Sequence, residues 1–263
     1  MTGTDLPVIA SLALVTCAVG VLLGFVGAGG AGVVVALLTS VYELPVHEAI
    51  GTALATMCLV TVSGSVSHFR EGNVAPRVGL VVGLAGAVGA VAGASYSQAV
   101  PAAQLQVMAG LGLWVLAVLV WLRTRLAVAL PGGLDPDWAG ETARPARDWV
   151  ASLGLGVSGG AAAAFLGVGM APFIQLGYLT VLRLPLRQAV GTTMFTLFFI
   201  SATGSAALAR AGDVSVNHFL GATIGLATGA WFGARFTRRA PTSILRGAVV
   251  LIPFLAGALL LFG

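Results

Sequence analysis

The chain has 263 residues, of which 58% are hydrophobic and only 8% are charged. A soluble domain carries about 25% charged residues, so this composition excludes a cytosolic enzyme or a nucleic-acid-binding module and predicts an all-α membrane protein. The formal net charge of +4 rests on 13 basic residues. All are arginines that lie mostly between apolar segments, where they indicate orientation in the bilayer rather than an anionic partner.

The apolar segments fall into two groups of five, and most of them are long enough to cross a bilayer. The first group lies at residues 7–26, 29–43, 46–69, 78–99 and 104–122. The second lies at residues 149–166, 169–182, 186–209, 216–236 and 243–262. Residues 123–148 form the only long polar stretch. We therefore predict a first transmembrane repeat over 1–122, a cytoplasmic linker over 123–148 and a second repeat over 149–263.

The two groups are copies of one unit. Residues 25–94 align without a gap on residues 165–234, so that Gly27 matches Gly167 at an offset of 140. Leu, Ala and Val could match by chance in so apolar a chain, but Gly, Pro, Thr and Arg are also shared. The shared residues include the pairs Gly29 and Gly169, Pro45 and Pro185, Thr52 and Thr192, Ser65 and Ser205, and Arg70 and Arg210.

The second and seventh segments are short, and the arginines decide whether they cross. About 15 residues span some 22 Å, against a hydrocarbon core of about 30 Å. If every segment crosses, all arginines except Arg210 fall on one side; if the short ones turn back, the arginines divide almost evenly. The positive-inside rule favours about ten crossings with both termini extracytoplasmic. Five crossings per copy make the repeats inverted, an arrangement typical of secondary transporters.

Glycines precede each short segment. The stretch "GAGGAG", residues 27–32, matches a dinucleotide fingerprint, but no βαβ unit surrounds it and its copy "GVGMAP" loses the third glycine. A broken helix is tolerated in a bilayer only where protein buries it or water reaches it. Each break would present a helix N-terminus, which attracts anions. We interpret the glycines as substrate-binding, with close helix packing as the alternative: Gly27, Gly29, Gly30, Gly167 and Gly169.

Hydroxyl side chains follow each short segment at equal places in the two copies. Thr52 and Thr192 lie one or two turns inside the third and eighth segments. Their hydroxyls could donate to an anion, while a bond to the carbonyl four residues back is the alternative. Ser65 and Ser205, each of which follows a glycine, are candidates with the same two interpretations.

Three further residues are candidates for coupling or gating. Arg70 and Arg210 end the third and eighth segments, where a cation also suits the carbonyl end of a helix. His68 has no counterpart, because its repeat equivalent is Leu208. A histidine near a pore mouth can carry a coupling proton, although an interfacial position is the simpler interpretation.

Neither a cofactor nor a metal is expected, since Cys17 and Cys58 are two widely separated cysteines inside apolar segments. The stretch "GVSGG", residues 156–160, resembles the motif of rhomboid intramembrane proteases, with Ser158 as nucleophile and His218 as base. That motif has many chance matches, and proteolysis gives no reason for an inverted duplication. An enzyme is therefore not expected.

The stretches "GFVGAGGAG", "LPVHEAIGTALAT" and "GSVSHFREGNV", with their copies "FLGVGMAPF", "LPLRQAVGTTMFT" and "GSAALARAGDV", resemble the twin signature of the TauE/SafE sulfite exporter family. The resemblance implies a bacterial inner-membrane permease for sulfite, sulfoacetate or other organosulfonates. It also implies that the Gly clusters and Gly-Thr pairs bind substrate. Ala31, Met170 and Ala171 depart from a fuller Gly-x-Gly-Gly-Gly pattern.

The sequence thus predicts an alternating-access carrier that holds a small anion near the bilayer midplane, between two Gly-broken helices. A permease for another anion, such as a carboxylate, is the alternative. The expected partners are the anion and the lipid bilayer, without nucleic acid. A homodimer is allowed by the sequence but is not required by it.

Overall fold

The computed structural model describes residues 5–26, 30–129, 145–237 and 242–262, which form ten α-helices. The helices are α1 (Asp5–Val26), α2 (Ala31–Ser40), α3 (Val46–Arg70), α4 (Pro76–Gln98), α5 (Ala102–Ala129), α6 (Pro145–Leu166), α7 (Ala171–Thr180), α8 (Leu186–Arg210), α9 (Val216–Thr237) and α10 (Thr242–Phe262). Each corresponds to one predicted segment. Gly27, Gly29 and residues 130–144 of the predicted linker lie outside the described residues.

The described part of the chain is all-helical, as predicted, and its helix lengths agree with a polytopic membrane protein. Five helices are long and apolar enough to cross a membrane: Val46–Arg70, Pro76–Gln98, Ala102–Leu122, Trp149–Leu166 and Arg187–Arg210. Helices α2 and α7 have 10 residues each, so each rises only about 15 Å. They are shorter than predicted because the chain leaves each helix through a turn, in which Glu43 (φ 55°) and Arg183 (φ 51°) are left-handed.

Most of the packing joins one half of the chain to the other. Helix α1 packs on α9, α4 on α6, α3 on α8 and α5 on α10. The contacts occur in matched pairs. The contact of α1 with α9 corresponds to that of α6 with α4, and the contact of α3 with α9 corresponds to that of α8 with α4. Exchanging the two halves therefore reproduces the pattern of helix contacts.

Helices at equivalent places in the two halves run in opposite directions. In the α3–α8 pair, Gly51 lies beside Leu208 and Gly191 lies beside His68. The α5–α10 pair is also antiparallel: Gln106 Nε2 donates to the Leu260 carbonyl (2.9 Å), and Trp114 Nε1 donates to that of Phe254 (3.2 Å).

Helices α4 and α6 are parallel and approach closely through glycines. A Cβ on Gly160 would overlap the backbone carbonyl of Gly86, and Cβ atoms on Gly89 and Gly93 would overlap the carbonyls of Val157 and Ala161. The α1–α9 pair is built in the same way around Gly225 and Gly229. Small residues at four-residue spacing let membrane helices pack backbone to backbone.

Helices α3 and α8 end in the same C-terminal turn. Gly72 (φ 70°) and Gly212 (φ 88°) take the left-handed conformation. The N–H of Asn73 donates to the His68 carbonyl (2.9 Å), and the N–H of Asp213 donates to that of Leu208 (3.0 Å). This is the Schellman pattern. It directs the segments after each turn, residues 73–75 and 213–215, toward the opposite half.

Candidate substrate site

The non-helical residues 167–170, which separate α6 from α7 and which we call the second break, lie against the first turn of α2. A Cβ on Gly32 would stand 3.3 Å from the Cα of Val168. Gly30 and residues 167–170 are buried. Of the predicted positions, Gly30, Gly167 and Gly169 thus lie inside the protein, while Gly27 and Gly29 fall outside the described residues. The two short helices therefore begin close to one another.

Neither short helix has a side-chain cap at its N-terminus. The cap positions are Gly30 (φ −84°, ψ 12°) and Met170 (φ −67°, ψ 36°), and neither makes a side-chain capping bond. Both cap residues are buried. The positive dipole ends of α2 and α7 consequently face the protein interior.

Backbone geometry favours glycine at both ends of the second break. Gly167 has φ 66° and Gly169 has φ 57°, a region that other L-residues enter only at a cost of about 1–2 kcal/mol. A Cβ on Gly167 would also stand 2.6 Å from Cγ1 of Ile50 on α3. The break is thus a tight turn packed against α3.

Thr52 and Thr192 receive hydrogen bonds from the opposite half of the chain. The Ser215 N–H donates to Thr52 Oγ1 (3.0 Å), and the Ala75 N–H donates to Thr192 Oγ1 (2.9 Å). Both threonines are fully buried. We call these two contacts, each made by a Gly-Thr pair and the segment it receives, the Gly-Thr clamps.

The glycine of each clamp lets the received segment approach. A Cβ on Gly51 would overlap the carbonyl of Asp213, and one on Gly191 would overlap that of Asn73. Along α3, 16 residues separate Thr52 from His68, which lies beside Gly191, a rise of about 24 Å. The two clamps therefore lie at opposite ends of the α3–α8 pair.

The hydroxyls of Thr52 and Thr192 have different hydrogen-bond partners from those of nearby threonines on the same helices. Thr56 and Thr193 donate to the carbonyls of Thr52 (3.0 Å) and Ala189 (2.7 Å), four residues back. Within the part of the chain that the structure describes, Thr52 and Thr192 make no such bond. Each hydroxyl accepts a hydrogen bond in its clamp and keeps its own hydrogen to donate.

The remaining predicted residues are distributed along α3 and α8. Ser65 is buried and its Oγ has no partner, whereas Ser205 donates to the Ala202 carbonyl (3.2 Å). His68 Nδ1 lies 3.8 Å from a carboxylate oxygen of Glu71. Arg70 and Arg210 are the exposed last residues of their helices. The structure thus places the candidate coupling residues at the helix ends, beside the clamps.

Sequence reasoning missed a buried polar group on α7. Gln175 is 2% exposed and its Nε2 has no hydrogen-bond partner. One turn further on, the hydroxyl of the fully buried Tyr178 is bonded to Thr196 of α8. The repeat alignment contains the signal, because the first-half counterparts of Gln175 and Tyr178 are Val35 and Leu38.

The two residues of the protease interpretation have separate partners. The Ser158 hydroxyl is exposed and donates to the Gly154 carbonyl of its own helix (2.7 Å). His218 Nδ1 is bonded to Ser215 Oγ (2.7 Å). No group of three or more His, Cys, Asp or Glu suited to a metal occurs among the described residues.

Comparison with known proteins decides the family. Residues 12–260 match the model of the family described as Sulfite exporter TauE/SafE. The chain belongs to the TauE/SafE family. The chain is also similar to a protein named probable membrane transporter protein YdhB, from Bacillus subtilis strain 168. It is 36% identical over 249 residues, which cover 95% of this chain and 98% of the relative. No solved structure matches the chain.

This TauE/SafE chain is therefore a multi-pass membrane transporter. The predicted membership of the TauE/SafE family is confirmed, and the matched range includes both copies of the Gly clusters and Gly-Thr pairs. The two uncapped short helices and the two clamps are therefore structural features of a membrane transporter.

Proposed function

We propose that this protein is a secondary permease of the bacterial plasma membrane that moves sulfite, sulfoacetate or other organosulfonates by alternating access. The observation that carries the proposal is the closeness of the first turn of α2 to the residues that precede α7. Buried, uncapped helix N-termini begin there, with Gly32 against Val168, and such ends favour anions. The family description supports sulfite as the first anion to test.

The buried polar groups suit an anion that is held by hydrogen-bond donors. Among the described side chains, the buried polar ones are threonines, serines and Gln175, and none of them is charged. The proposed substrate-binding residues are the break glycines, the clamp hydroxyls, each of which would bind when its own clamp opens, and two serines: Gly27, Gly29, Gly30, Gly167, Gly169, Thr52, Thr192, Ser65 and Ser205.

We infer that the repeats are inverted across the membrane. The antiparallel α3–α8 and α5–α10 pairs support this, because equivalent helices run in opposite directions. Helix α9 begins beside the start of α3, where Ser215 meets Thr52, and α1 runs parallel to α9, as Gly221 and Gly229 lie beside Leu12 and Cys17. Helices α1 and α3 thus run the same way, so the chain must return between them through α2.

Inverted repeats place one Gly-Thr clamp near each face of the membrane. The clamp of Thr192 lies near the cytoplasmic face with His68 and Arg70, and that of Thr52 lies near the outer face with Arg210. In the proposed cycle one clamp opens while the other stays closed. An opened clamp frees its threonine hydroxyl to bind the anion.

Flux in proteoliposomes tests the function and the threonine assignment together. Wild-type protein is expected to move sulfite or sulfoacetate. Thr52→Ala combined with Thr192→Ala is expected to raise KM about tenfold or more, because each change removes a donor to a charged ligand.

Thr180→Ala is the control, since that exposed hydroxyl bonds only within its own helix (2.7 Å to Leu176). Wild-type flux by the double variant would refute the threonine assignment. Flux of carboxylates without sulfur anions would refute the substrate class.

Single cysteines test the topology. Glu71 and Ala211 occupy equivalent exposed positions after α3 and α8. With Cys17 and Cys58 replaced by serine, we expect a membrane-impermeant maleimide to label Glu71→Cys only from the cytoplasmic side. Ala211→Cys should react only from outside. Labelling of both from the same side would contradict inverted repeats.

A further inference from the structure

Gln175 has an unusual environment for a carboxamide. It lies on α7 with 2% of its surface exposed, and its Nε2 has no hydrogen-bond partner. A buried polar group without a partner is costly, and native structures keep few of them. It is the largest polar side chain in the buried set described above. Its retention therefore needs a ligand or another compensating role.

The position of Gln175 directs its side chain toward the break. It lies four residues after Ala171, the first residue of α7, a rise of about 6 Å. Side chains on a helix lean toward the N-terminus and cover the preceding turn. From this geometry we infer that the carboxamide lies over the first turn of α7, which follows the buried residues 167–170.

That first turn is poor in free donors. Pro172 has no N–H, and the N–H of Ala171 already donates to the Gly169 carbonyl (2.6 Å). The N–H of Ile174 donates to the Met170 carbonyl (3.0 Å). An anion at this dipole end would find few backbone partners, and the amino group of Gln175 supplies the missing donor.

The first half of the chain has no equivalent group. At the corresponding place α2 carries Val35, and Gly32 there stands where α7 has Pro172. Helix α2 thus keeps its backbone N–H at that position, while α7 has lost it and gained a side-chain amide. The two helix ends thus offer an anion different donors, a backbone N–H at Gly32 and a side-chain amide at Gln175.

We propose that the carboxamide Nε2 of Gln175 donates a hydrogen bond to an oxygen of the transported oxyanion at the start of α7, and that it helps to set affinity. The proposal rests on the proposed function. A neutral amide suits an anion that must also be released, because it adds a donor without a fixed positive charge.

Transport kinetics and thermal unfolding of Gln175→Leu test this assignment. Leucine is similar in size and removes the unpartnered group, so the unfolding temperature is expected to stay the same or rise. The KM for sulfite or sulfoacetate is expected to rise about tenfold or more. Gln175→Glu, which places a carboxylate against the anion, should abolish saturable flux.

Gln106→Leu is the matched control, because Nε2 of Gln106 has a structural partner in the Leu260 carbonyl (2.9 Å). That variant should unfold at a lower temperature with an unchanged KM. The assignment is overturned if Gln175→Leu keeps the wild-type KM, or if it loses as much thermal stability as Gln106→Leu. Absence of flux by the wild type for every sulfur anion tested would instead refute the proposed function.

Discussion

Replacing Gly51 by alanine is expected to disable transport, because the new Cβ would overlap the backbone carbonyl of Asp213. The segment after α8 must then move away from α3, which breaks the bond from the Ser215 N–H to Thr52. Forced overpacking of this kind costs about 1–3 kcal/mol. Proteoliposome flux and the unfolding temperature should both fall. The same change at Gly191 should act on Asn73.

Gly64→Ala provides the control on the same helix. Its Cβ would meet Met194 Sδ at 3.5 Å, an ordinary contact. Alanine is also favoured over glycine within a helix by about 1 kcal/mol, so this variant should be as stable as the wild type or more so. If Gly51→Ala has the same flux and the same unfolding temperature as Gly64→Ala, the close contact between Gly51 and Asp213 is needed neither for transport nor for stability.

The second large effect is expected at the α4–α6 contact. In Gly160→Leu, the Cβ would overlap the carbonyl of Gly86, so the two helices must separate along much of their length. Close backbone contact is a main source of helix association in membranes. We expect little folded protein, measured by size-exclusion chromatography in detergent.

The matched substitution is Gly154→Leu, six residues earlier on α6. A Cβ at Gly154 meets nothing within 4 Å, and the residue is exposed. This variant should yield a wild-type elution profile. Equal yields of the two variants would show that the α4–α6 glycines do not determine assembly.

Helix positions were predictable from the sequence because each apolar run and each turn signal is local. The predicted segment 46–69 became α3 (Val46–Arg70), and the glycine after it became the left-handed residue of a Schellman turn. The predicted bounds of the two short helices were less accurate. The apolar run continues through Val41 and Tyr42, but the left-handed φ of Glu43 shows that these residues belong to a turn and not to α2.

The partner of each clamp threonine was not predictable from its neighbours. Thr52 and Thr56 occur one turn apart in the same motif, yet Thr56 bonds within the helix and Thr52 accepts from Ser215. Only the packing of α9 against α3 separates the two cases. Gln175 was overlooked for a different reason: the repeat comparison considered shared residues, whereas Gln175 differs from its counterpart Val35.

The sequence separations within the clamps bear on biosynthesis. Thr52 bonds a residue 163 positions away and Thr192 one 117 positions away. At about 5–20 residues per second of synthesis, roughly ten to thirty seconds pass between the translation of Thr52 and that of Ser215. Until α8 and α9 are made, the nascent first half has only its internal contacts, such as those of α3 with α2 and α5. Most of the native helix packing therefore forms after the first half has been inserted.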